Sequence, residues 1–92
     1  MNQIEKVYSV YDVKAEAYTP FFSERTDGLA IRTIENAMAN PESNLARHCS
    51  DFELHCLGTF DVSSGKLNSE IKHIINLDQL KRNKSWRYAC PP

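Results

Sequence analysis

The chain has 92 residues, 41% hydrophobic and 25% charged, with a net charge of −1, a composition that fits one small folded domain and excludes a disordered chain. No apolar run approaches the ~20 residues needed to cross a bilayer, and the start, Met1 to Lys6, lacks the basic and apolar blocks of an export signal. The average charge conceals a division: residues 1–62 carry 5 Lys/Arg against 10 Asp/Glu (5 − 10 = −5), whereas residues 63–92 carry 6 against 2 (6 − 2 = +4).

Residues 4–12 are rich in β-branched and aromatic side chains and predict a first strand, with Ile4, Tyr8 and Val10 on one face. From Lys14 to Phe22 any helical pattern is broken by Pro20. The expectation there is a crossing loop whose Tyr18, Phe21 and Phe22 are pinned into the core. Thr26 and Asp27 offer oxygens to the free amides of a helix start, and Leu29, Ala30, Ile34, Ala37 and Met38 recur at helical spacing. This predicts a helix over 27–40, closed by Asn40-Pro41. The polar stretch 41–51 reads as turns. Phe52, Leu54, Cys56 and Phe60 then alternate with Glu53, His55 and Thr59, as in a half-buried strand.

Asp61, Ser63, Ser64 and Gly65 supply a hairpin loop, and residues 68–75 return as an antiparallel partner. A short helix fits 77–83, whereas Tyr88 to Pro92 is too short and proline-rich to continue it. The fold class is α+β: a small antiparallel sheet in the order strand, helix, strand, strand, with one main helix on one face. Residues 1–80 form a single domain and residues 81–92 a basic-aromatic tail. So small a core leaves much of the chain at the surface, a shortage that a homodimer would ease.

The order of residues Val7-Tyr8-Ser9-Val10-Tyr11-Asp12-Val13-Lys14-Ala15-Glu16-Ala17-Tyr18, followed by Pro20-Phe21-Phe22, resembles the opening of the small nonstructural protein of gokushovirus-type microviruses. The resemblance resumes with Ala30-Ile31-Arg32, Asn40-Pro41, Asp51-Phe52-Glu53-Leu54 and Leu57-Gly58-Thr59-Phe60-Asp61, and reaches Gly65. It departs at Cys49-Ser50, where a proline is common, and beyond about residue 76. What it implies is a non-enzymatic phage protein made in the cytoplasm of the infected bacterium, handling the single-stranded genome during synthesis or packaging. No cofactor comes with it.

Several constellations bear on chemistry. Lys81, Arg82, Lys84 and Arg87, interleaved with Trp86 and Tyr88, combine the cations and rings that phosphate neutralisation and base stacking require; an ordinary solvated terminus has the same look. Strand alternation puts Tyr8 and Tyr11 on opposite faces, so Tyr8 belongs to the core and Tyr11 to the surface, with Lys14 and Arg32 as candidate phosphate contacts nearby. Gly28, at the helix start, leaves backbone amides open to an anion. His48-Cys49 and His55-Cys56 carry zinc-ligand types, but their spacing fits no closed zinc motif, and adjacent strand residues point to opposite faces. No metal site is expected. Cys49, Cys56 and Cys90 are few and odd in number, so free thiols are expected.

Two function classes remain. One is a single-stranded-DNA-binding protein that uses the basic last third and one or two exposed aromatics. The other is a protein-interaction module that contacts phage replication or assembly proteins, or a host factor, through the acidic first two thirds.

Overall fold

The computed structural model describes residues 3–83, with burial assigned as far as Leu80. Strand β1 (Ile4–Asp12) is flanked on one side by two short strands, β2 (Ala17–Tyr18) and β3 (Phe22–Glu24), and on the other by β4 (Phe52–Asp61). Strand β5 (Leu67–Asn76) pairs with β4 and forms the opposite edge, and every pairing is antiparallel. Helix α1 (Asp27–Met38), a single helical turn α2 (Asn44–Arg47), a 3-10 turn at Cys49–Asp51 and helix α3 (Leu77–Asn83) complete the described chain.

Helix α1 begins where the sequence places a cap: the Thr26 hydroxyl accepts the Leu29 amide at 3.2 Å, which satisfies a donor that has no partner within the helix. Ala30, Ile34 and Met38 are its buried stripe, and they pack with Tyr8, Val10, Phe52, Leu54 and Cys56 of the sheet. Leu29 and Ala37, which share the helical spacing, remain exposed. Leu77 and Leu80 of α3 close the same core, so all three helices lie against one face of the sheet, and among the described residues the other face has no helical layer.

Three expectations require correction. Residues 14–22 do not cross the core. The Asp12 carboxylate accepts the amides of Lys14 and Ala15 at 3.0 and 3.1 Å, turning the chain through 13–16 with Glu16 at φ 55°. The chain then runs back along β1. Edge pairing keeps it flat, so only Phe22 packs on the core, whereas Tyr18 is 41% and Phe21 70% exposed. The stretch 41–51 is more ordered than its polarity suggests: Ser43 caps α2 by accepting the Ala46 amide, and Ala46 and Cys49 are buried. Cys56 is a free buried thiol, but Cys49 is disulfide-bonded; the expectation for Cys90 lies outside the described residues.

A bulge decides which face the end of β4 presents. Tyr8 pairs with Cys56 but Val7 pairs with Gly58, so Leu57 is an extra residue in β4. One added residue inverts the alternation. Phe60 therefore lies opposite Glu5 and Leu67, away from the helices, rather than beside Phe52 and Leu54.

Candidate functional site

On the face away from the helices, the register of the strands gathers a group of rings. Tyr11 lies opposite Tyr18 across β1 and β2, with ring centroids 4.8 Å apart. His55 stacks on Tyr11 at 5.4 Å with the planes 16° apart, and meets Tyr18 edge-on at 5.5 Å. His73, paired with His55 across β4 and β5, extends the row at 5.6 Å.

Hydrogen bonds hold the middle ring. His55 Nε2 lies 2.9 Å from a Glu53 carboxylate oxygen, and His55 Nδ1 lies 2.9 Å from the Tyr18 hydroxyl. A carboxylate only accepts, so Nε2 carries a proton, and in the neutral imidazole Nδ1 accepts from tyrosine. Only 12% of the His55 side chain is exposed; the rings of Tyr18 and His73 around it are the accessible ones. Tyr11 is half-buried. Farther along the same face, Val7, Phe21, Leu57 and Leu67 line an apolar hollow of about 220 Å³.

Among the described residues the face is not basic: Glu5 and Glu53 lie on it, and Lys14, in the β1–β2 turn, borders a separate pocket with Asp12, His48 and Asp51. Lys81 and Arg82 fall in α3. That helix starts directly after Asn76, which pairs with Glu53, itself opposite Tyr11, so the chain enters the basic segment from the end of the sheet that carries the rings. Lys84, Trp86, Arg87 and Tyr88 lie outside the described residues. Arg32 is exposed on α1, in the helical layer; the structure therefore separates it from Tyr11, which faces the other way.

Tyr8, in the core as expected, donates its hydroxyl to the Asp27 carboxylate at the start of α1. Burial, followed by this bond to a carboxylate, raises the phenol well above its ordinary range. The same hydrogen bond, helped by Lys6 at 3.5 Å, holds Asp27 below the usual carboxylate value despite partial burial. An anion at Gly28 would meet this negative charge, which weighs against the anion contact that the open amides there allow.

Sequence reasoning missed Tyr18, which it placed in the core, and the roles of His55 and His73 in one ring cluster. The signal for Tyr18 was Asp12 as a turn former, which sets up a return along β1. His55 and Cys56 do point to opposite faces as alternation requires, and the described residues hold no group of three or more His, Cys, Asp or Glu placed to bind a metal. The flat, partly exposed rings can stack against another planar or apolar group. A family model described as Phage ORF5 protein matches residues 5–80. No curated protein and no solved structure matches the chain.

Proposed function

The chain belongs to the phage ORF5 protein family, and from that premise we propose that it is a non-enzymatic protein that binds single-stranded DNA with the open face of its sheet. Within the family we place it beside the nonstructural proteins of gokushovirus-type microviruses that its residues resemble, acting in the cytoplasm of the infected host during genome synthesis or packaging. One observation carries the reading: Tyr11, Tyr18, His55 and His73 are gathered at the end of the sheet from which the chain runs into Lys81, Arg82, Lys84 and Arg87. Rings supply stacking for any base, and the cations supply phosphate neutralisation that the acidic sheet lacks.

The test is fluorescence anisotropy of a labelled oligothymidylate with the full chain, titrated across salt. Binding should weaken steeply as salt rises, and Tyr18→Ala should lower affinity by about 5- to 150-fold if the ring stacks on a base. Absence of binding at low salt, or binding indifferent to Tyr18→Ala, would sink the reading. The apolar hollow of Val7, Phe21, Leu57 and Leu67 favours a second reading, a protein-interaction module docking a phage or host protein. That reading predicts association with little salt dependence.

A further inference from the structure

Strand β5 is an edge of the sheet: β4 is its only strand neighbour among the described residues, and every residue from Leu67 to His73 is exposed. A ten-residue strand with an uncovered row of amides and carbonyls is a template for another strand. Its sequence also has a symmetry that the fold does not use. Glu70 and Lys72 lie on the helical side of the strand, where both border the pocket formed with Lys6 and Asp27. Ile71 between them points to the other side and is 63% exposed.

We infer that this edge pairs with β5 of a second copy of the chain, antiparallel and with the two-fold axis at Ile71. An antiparallel pair related by a two-fold axis perpendicular to the sheet keeps each face on its own side, so the axis must pass at a residue position. Centring on Glu70 sets Glu70 against itself, and centring on Lys72 sets Lys72 against itself. Centring on Ile71 places Glu70 opposite Lys72 of the other copy twice, Ile71 against its equivalent, and Ser69 against His73. Among these three registers it alone turns both charges into attractive cross-strand pairs. The result is one continuous sheet, in which the ring rows of both copies, each ending at His73, approach the axis on one face. The inference concerns assembly and holds whether or not the face binds DNA.

The experiment is sedimentation velocity of the full chain over a concentration series, with circular dichroism to check that each variant is folded. The parent should shift towards twice its 10.5 kDa mass. Glu70→Lys, which sets lysine against lysine on both sides of the axis, should weaken the dimer by about tenfold or more, and so should Lys72→Glu, which sets glutamate against glutamate. Mixing these two variants should restore the dimer, because each charge then meets its opposite. The double exchange Glu70→Lys with Lys72→Glu should dimerise by itself. A parent that stays monomeric at every concentration overturns the inference, as does a dimer that ignores Glu70→Lys or a mixture that does not recover.

Discussion

Gly58 is the position at which one added carbon should do the most damage. Its φ is +149°, and a Cβ built there would lie 2.0 Å from the carbonyl oxygen of Asn68 and 3.0 Å from both the carbonyl carbon of Asn68 and the Cα of Ser69. All three atoms belong to the β5 backbone, so no rotamer change relieves the clash, and β4 and β5 must separate where the bulge already shifts their register. Overpacking costs about 1–3 kcal/mol, and an unfavourable backbone conformation adds about 1–3 kcal/mol. Gly58→Ala should therefore destabilise the fold by about 2–6 kcal/mol. For a domain of this size each kcal/mol moves Tm by about 4–8 °C, so Tm should fall by about 8 °C at the least. Gly65→Ala is the control, since φ there is +78° but no atom lies within 4 Å of the new carbon; it should cost only about 1 kcal/mol of backbone strain. The assay is thermal unfolding by circular dichroism for parent and both variants. If Gly58→Ala lowers Tm no more than Gly65→Ala, the close approach of the two strands is not what holds this position to glycine.

Four further outcomes can be measured. Leu54, fully buried at the centre of the core, should lose about 2–5 kcal/mol of stability on truncation to alanine, measured by urea unfolding. The Asp27 pKa is lowered from 3.8, so its contribution is present above that value and is lost as pH falls through it into the folded value. Between about pH 5 and about pH 2, Tm should therefore decline more steeply for the parent than for Asp27→Asn, and equal slopes would remove Asp27 as the cause. Tyr8 titrates in the opposite sense: its raised value keeps its contribution intact below pH 10.0 and loses it as the solution becomes more alkaline. Neutralising Lys81, Arg82, Lys84 and Arg87 together should flatten the plot of log affinity against log salt for single-stranded DNA by about 3, at ~0.7 per phosphate contact. An unchanged slope would assign those cations to solvent.

Much of the fold is legible because it rests on local rules. The Thr26 cap, the spacing of Ala30, Ile34 and Met38, the alternation from Phe52 to Cys56 and the glycine and serines of the 61–66 loop each act within a few residues. They suffice for the α+β class, the main helix and the β4–β5 hairpin. The same alternation separates Tyr8 from Tyr11 and His55 from Cys56 without reference to any other strand.

The candidate site is a different matter, because its rings come from β1, β2, β4 and β5 and meet only through register. Tyr18 looks like core in the sequence, since an aromatic next to Pro20 and two phenylalanines satisfies the hydrophobic pattern equally well inside or outside. Pairing along β1 decides between them, and it turns Tyr18 towards His55. Arg32 looks close to Tyr11 when the layers are unknown and is separated from it once α1 covers the other face. The extra residue at Leu57 inverts the phase of Phe60, which no count of alternating residues can foresee because the neighbouring strand accommodates the bulge. Local chemistry thus determined which segments are helix and strand; the long-range pairing of β1 decided which aromatic rings stand together on the open face, since register is a property of two strands and not of one.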